Sequence, residues 1–364
     1  MKGVACLLIF IAILTTSAQA ASVMPSEDAP HEATWLAWVH HYTYGKAYRD
    51  ALDPTWVAMT RALVNSEKVK IIVYNQSEKK RVTGLLRNAG VSLTNVRFYI
   101  RQTDDTWIRD NGPIFVYDTS NQLKITDWDF NGWGFDTPYA LDNTVPISVA
   151  NNLGLPRIDL NSITLEGGAI ETDGNGMMMA TRSSTLQNGR NPNLTQAQFE
   201  TALTTNLGVT KFIWLNGIFG GQDDITDTHI DGFAKFAPNN KIVTMSNSSL
   251  SYWGLSSADI NTLRAATNIS NVPYTFVNLP LTANNVVTTS GENLGFKGSY
   301  VNYYVANTVV LVPIYSDAND TSAMNTIQQL YPTRTVVGID VRNLYKEGGM
   351  VHCVTQQQPI RNPL

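Results

Sequence analysis

Residues 347–359 of the chain read EGGMVHCVTQQQP, and Cys353 in that run is one of only two cysteines in the sequence. A solitary thiol is either a small buried hydrophobe or a nucleophile held as its thiolate. His352 is its neighbour, but adjacent residues of a strand face opposite sides, so His352 reads as a core or supporting histidine. The better partner lies in residues 226–236, TDTHIDGFAKF, where His229 and Asp231 are two apart and share one face of a strand. Residues 103–113, TDDTWIRDNGP, gather three carboxylates, an Arg and a Trp before a turn enforced by Asn-Gly-Pro. That cluster is either part of a site containing Asp110 or a solvated acidic loop in which Arg109 pairs locally. In residues 165–168, LEGG, two glycines follow Glu166; they permit a close backbone approach or mark a strand bulge. His229 and Asp231 could also be two metal ligands. No third and fourth ligand stands at convincing spacing, and His40-His41 is too isolated to supply them, so no metal is expected.

Elements that would position these groups alternate along the chain. Strand-like runs rich in Val, Ile and aromatics fall at residues 69–74, 96–100, 113–117, 177–180, 233–236, 242–245, 308–313 and 335–339. Helical patterns fall between them at 55–65, 78–88, 142–153, 195–207, 257–267 and 318–331, the fourth opening on a capping Thr195. Such alternation predicts an α/β class. Trp38, Asp110, Glu166, Asp231, Asn302 and Cys353 follow one another at 72, 56, 65, 71 and 51 residues. Intervals near sixty suggest a repeated supersecondary unit, each copy delivering one residue to a shared centre.

Composition narrows the partners. The chain has 364 residues and a formal charge of −4, which leaves no basic footprint for nucleic acid or an anionic membrane. Residues 1–20 carry Lys2, an apolar run and the small-x-small ending Ala18-Gln19-Ala20, the pattern of a cleaved signal peptide. Its apolar run is too short to span a bilayer. Cys6 would leave with it, and an exported chain with one remaining Cys forms no internal disulfide. The expected organisation is a signal peptide over residues 1–20 and one catalytic domain over 21–364. A periplasmic or secreted location follows.

Taken together and in order, TWIRDNGP, LEGG, DTHIDGFAKF, SYVNYY and GGMVHCVTQQQP resemble the agmatine deiminase and bacterial-type peptidylarginine deiminase family. MPSEDAPHEATWLAW at 24–38, FNGWG at 130–134 and NGRNPNLT at 188–195 extend the resemblance over nearly all of the chain. It implies a five-bladed α/β propeller (pentein) of ββαβ-type units around a central site. It also implies roles. Asp110 and Asp231 match the family's carboxylates that grip a guanidinium, Cys353 its nucleophile, His229 its general acid and base, and Glu166 the partner of that histidine. Trp107, Gly349 and Asn302 match positions of the substrate pocket, although Trp107 alone reads equally as core. The implied reaction exchanges a guanidine nitrogen for water through a covalent thiouronium, with no metal and no organic cofactor.

The guanidine itself is a small cationic molecule such as agmatine or the arginine side chain of a peptide. A peptide carboxylate would call for a basic clamp, and residues 127–155 contain no Arg; Arg157 lies just beyond. Agmatine is therefore the leading reading, with secreted protein citrullination second. A non-catalytic propeller that binds amines or peptides is third, since it would not need all five reactive side chains. Two departures from the family pattern bear on the pocket. Glu347 and Met350 stand where agmatine enzymes read more like GGGNIHC, and Phe135 replaces a glycine after Trp133-Gly134.

Overall fold

The computed structural model describes residues 22–187, 189–218, 224–361 and 363. The segment read as a signal peptide lies outside them, as does Asn188 of the NGRNPNLT motif.

The chain is a mixed α/β protein whose strands form five sheets. Each sheet repeats one pattern: a short strand pairs antiparallel with a middle strand, and the middle strand pairs parallel with a third. The third sheet is representative. Ile170–Thr172 runs antiparallel to Met177–Thr181, which runs parallel to Lys211–Leu215. Parallel neighbours need a crossover, and the helix Gln196–Leu207 supplies it. Thr195 caps that helix in a reciprocal box with Gln198, worth about 1 kcal/mol over an alanine. The same order recurs in Lys235–Ala237, Lys241–Met245 and Thr275–Leu279, and in Tyr304–Val305, Val309–Ile314 and Thr335–Asp340. In the second sheet Ile114–Asp118, Leu123–Asp129 and Arg157–Thr164 follow it, with Ser22–Val23 added at the edge. In the first, His31–Ala37, Lys68–Val73 and Val96–Ile100 run parallel, and the antiparallel short strand is Gln356–Pro359 from the other end of the sequence.

Middle strands read as apolar runs because both faces are covered. Met177, Met178 and Met179 are fully buried, as are Val310, Leu311 and Val312. Strands at the outer edges are less buried: Arg157–Thr164 and Thr275–Leu279 each have one buried position. Several were not expected from sequence, since burial does not select their residues. The helix expected from residue 55 instead spans His41–Leu63, with a break at Gly45 and Pro54 inside it. Leu52, Trp56 and Met59, all fully buried, hold it on both sides of that proline. Among the described residues no helix is long and apolar enough to cross a membrane.

The short first strands matter most for chemistry. Asp110 lies in the turn Ile108–Asn111 just before Ile114–Asp118, and Glu166 sits just before Ile170–Thr172. His229 and Asp231 precede Lys235–Ala237, Asn302 precedes Tyr304–Val305, and Cys353 precedes Gln356–Pro359. Five of the six evenly spaced landmarks thus occupy one equivalent place in five sheets. Trp38 does not; its indole donates to Asp53 Oδ1 at 2.7 Å within the core.

Candidate active site

The turns before these strands bring the predicted groups together over one α-carbon. A methyl group added at Gly168 would stand 2.7 Å from Asp110 Oδ1, 2.7 Å from His229 Nδ1 and 3.1 Å from Asp231 Oδ2. Only glycine leaves that space open. Its backbone N–H donates to Asp110 Oδ1 at 2.9 Å. The second glycine of LEGG is therefore where the site is centred, and no strand bulge is present: residues Gly167–Ala169 form a 3-10 turn.

His229 Nε2 lies 2.7 Å from Glu166 Oε2. Glu166 is fully buried, and Arg190 holds its other oxygen at 2.9 Å. This fixes the ring and leaves Nδ1 facing the site, 3.7 Å from Asp110 Oδ1. Burial opposes a charge on the imidazole. The Asp110 carboxylate, the Glu166 hydrogen bond and Asp231 outweigh it and raise the His229 pKa to about 9. Burial pushes Asp110 up to about 6, helped by the nearby Asp231 and Glu166 charges and resisted by His229.

Asp231 is held from the other side. Burial would raise its pKa, but the hydrogen bond and charge of His352 bring it below the usual carboxylate range. His352 Nδ1 is 2.7 Å from Asp231 Oδ2, and its Nε2 is 2.6 Å from Glu27 Oε2. Cys353 Sγ lies 3.9 Å from Asp231 Oδ2 and accepts from Asn302 Nδ2 at 3.3 Å. Burial pushes the thiol well above its ordinary pKa, and the charges of Asp231 and Asp110 push it further. These influences favour the protonated sulfur.

Strand geometry is not what aligns these groups. His229-Ile-Asp231 and His352-Cys353 both lie at 3-10 turns, Ile230–Gly232 and His352–Val354. The face-sharing expected of His229 and Asp231 holds, though a tight turn delivers it. His352 indeed serves elsewhere than as the base for Cys353. Asn302 is fully buried; it donates to Asp231 O at 3.3 Å and accepts from His352 N at 2.9 Å. These bonds brace the turn that carries Cys353. Gly349 has a similar structural use. A methyl there would come within 2.1 Å of Trp107 Cζ3, so Gly349 lets the indole lie flat against the chain. Trp107 is almost buried and keeps a narrow exposed edge.

Several site residues escaped sequence reasoning. Trp133 donates to Asp110 Oδ2 at 3.0 Å. Arg109 does not pair locally: it donates to Gln356 Oε1 at 2.9 Å and to Glu27 Oε2 at 3.5 Å. Glu27 and Arg190 lie inside the MPSEDAPHE and NGRNPNLT stretches, so the resemblance marked their neighbourhoods without their roles. Met350 is buried, and its sulfur accepts from the Tyr315 hydroxyl at 2.9 Å. Phe135 is 65% exposed with φ of 74°. Among the described residues no three His, Cys, Asp or Glu side chains could hold a metal together.

The family model for Porphyromonas-type peptidyl-arginine deiminase matches residues 23–359. The chain belongs to this family. An agmatine deiminase of Pseudomonas fluorescens is 31% identical over 360 residues, covering 92% of this chain and 95% of the relative. The solved agmatine deiminase of Enterococcus faecalis superposes with a TM-score of 0.81 at 26% identity, covering 94% of this chain and 96% of that one. A Cys-to-Ser agmatine deiminase of C. jejuni with substrate bound superposes with a TM-score of 0.80 at 25% identity, over 94% and 97% of the two chains. Membership of the Porphyromonas-type peptidyl-arginine deiminase family makes the chain a hydrolase of a guanidino C–N bond.

Proposed function

We propose that the chain hydrolyses agmatine to N-carbamoylputrescine and ammonia through a thiouronium on Cys353. The observation that carries this reading is the meeting of Asp110, His229 and Asp231 over Gly168, with the Cys353 sulfur beside Asp231. A guanidinium is planar, permanently charged and forked, so two carboxylates fix both its position and its plane. Its arrival places a cation against the very charges that hold the thiol up, and the sulfur then gives its proton to bulk water. The thiolate attacks the guanidine carbon. His229, already an imidazolium, gives its Nδ1 proton to the departing amine, and ammonia leaves. The neutral ring next takes a proton from water, whose hydroxide adds to the thiouronium carbon. Collapse breaks the C–S bond, the new O–H proton passes to the departing sulfur, and a neutral ureido group and the Cys353 thiol are left.

The choice of agmatine rests on two supports. Relatives that cover nearly the whole chain carry that name. Three arginines in or near the family-like motifs are engaged with acids of the chain: Arg157 with Asp127 and Asp159, Arg190 with Glu166 and Asp227, Arg109 with Glu27. Turning any of these three to the carboxylate of a C-terminal arginine would need it released. We propose further that the five sheets close as the blades of a propeller around the site, since Gln356–Pro359 returns to complete the first sheet. Residues 1–20 would export the chain, so the enzyme would act on agmatine outside the cytoplasm.

Ammonia release from agmatine, set against release from an N-blocked arginine amide and an arginine-terminated peptide, tests the substrate. Agmatine is expected to be preferred at least about 100-fold in kcat/KM. Equal or better turnover of the peptide would make citrullination the activity instead.

A further inference from the structure

His352 is held between two carboxylates, and that fact reaches beyond the mechanism above. Its Nδ1 is 2.7 Å from Asp231 Oδ2 and its Nε2 is 2.6 Å from Glu27 Oε2. Neutral imidazole has a single N–H. It would turn a lone pair toward one of these oxygens at close range, in a site where all three residues are buried. Only the doubly protonated ring donates to both. Glu27 is itself fastened at its far oxygen by the Val305 N–H at 2.8 Å, and at the near one by Lys235 Nζ at 3.0 Å and Arg109 Nη2 at 3.5 Å. Arg109 Nε also donates to the His352 carbonyl at 3.3 Å. Glu171 completes the charged surroundings, 3.6 Å from Lys235. Glu27, Lys235 and Glu171 also line a cavity of about 610 Å³ that none of the reactive side chains lines.

We infer that Glu27 is a positioning residue for the substrate clamp: it holds His352 doubly protonated and aimed at Asp231. The consequence is local. Asp231 spends one oxygen on the imidazolium and keeps the other for the guanidinium. With the cation beside it, the carboxylate stays ionised in a buried site where burial alone would favour its neutral form. Without Glu27 the ring has no anion to stabilise its second proton. The ring is then fastened from the Asp231 side alone.

The inference deepens the deiminase reading and rests on it for its kinetic arm alone. Glu27→Gln keeps the shape and removes the charge. The expected result is a rise of about 30-fold in KM for agmatine with kcat changed less than about threefold. Restraint of the fold alone would lower the melting temperature and leave KM in place, which overturns the inference. A second measurement needs no variant. His352-Cys353 is the one His-Cys pair in the sequence, so labelling carbonyl carbons of His and nitrogens of Cys singles out this histidine by NMR. Two protonated ring nitrogens at pH 8 support the assignment; a single one overturns it. Failure of the wild-type protein to release ammonia from agmatine would sink the proposed function, yet the ring nitrogens would still decide this question.

Discussion

Two histidines flank the reactive centre, and they differ in one nitrogen. His229 is bound tightly on one side only: 2.7 Å to Glu166, but 3.7 Å to Asp110. His352 is bound tightly on both, at 2.7 Å and 2.6 Å. Both rings are buried, both meet two acids, and both acids behind them are braced by cationic side chains, Arg190 for one and Lys235 with Arg109 for the other. A group that must give and regain a proton needs a nitrogen free to reach substrate. A group that must hold a charge in place needs none. Same residue type and same burial thus leave one ring with a nitrogen open to the site and the other fastened at both nitrogens, and hydrogen-bond length separates them.

The largest effect should come from confusing the two. His229→Asn is expected to lower kcat about 1,000-fold or more with KM little changed, because transfer to the leaving amine and from water both fail. His352→Asn should act mainly on binding, raising KM about 100-fold, since Asp231 loses its cation. Steady-state kinetics of both variants on agmatine checks this. Equal losses in kcat would erase the distinction.

Gly168→Ala comes next. Its methyl would stand 2.7 Å from both Asp110 Oδ1 and His229 Nδ1, closer than carbon can approach. The two groups must part, and kcat/KM should fall about 100-fold while circular dichroism stays native. An active Gly168→Ala enzyme would mean that the groups need not meet there.

The smallest but most diagnostic effect is the pH profile. Asp110, with its pKa raised to about 6, is neutral below that value and cannot grip a cation. His229, raised to about 9, is an acid below that value and loses its proton above it. So kcat/KM for agmatine should climb through about pH 6 and fall through about pH 9. Replacing Glu166 by Gln should pull the alkaline limb down, because that carboxylate supports the imidazolium.

Much of this site is legible in the sequence, for a definite reason. Each reactive residue sits in a short turn before a strand, where Gly, Asp and Asn accumulate and leave recognisable local patterns. TDDTWIRDNGP, LEGG and DTHIDGF are such turns, and Cys353 is conspicuous by its solitude. The supporting shell leaves no such mark. Glu27 meets His352 across 325 residues and Arg190 meets Glu166 across 24. Neither distance in space follows from position in the chain. Trp133 reads as one more buried aromatic until its N–H is found on Asp110. The fold shows the same division. Apolar middle strands such as Met177–Thr181 announce themselves, whereas half-exposed edge strands such as Arg157–Thr164 and Thr275–Leu279 do not. The regular spacing of landmarks points to repeated units, and the structure places five of the six before equivalent strands.

The central claim is that the Cys353 sulfur bonds to the guanidine carbon. Mixing the protein with agmatine, quenching in acid within one turnover and measuring peptide masses tests it directly. The account predicts a transient adduct on the peptide containing Cys353, with the mass of agmatine less ammonia. It also predicts that Cys353→Ser shows neither adduct nor ammonia release. Ammonia formed at the wild-type rate by Cys353→Ser, or a full burst of ammonia with that peptide unmodified throughout, would contradict it.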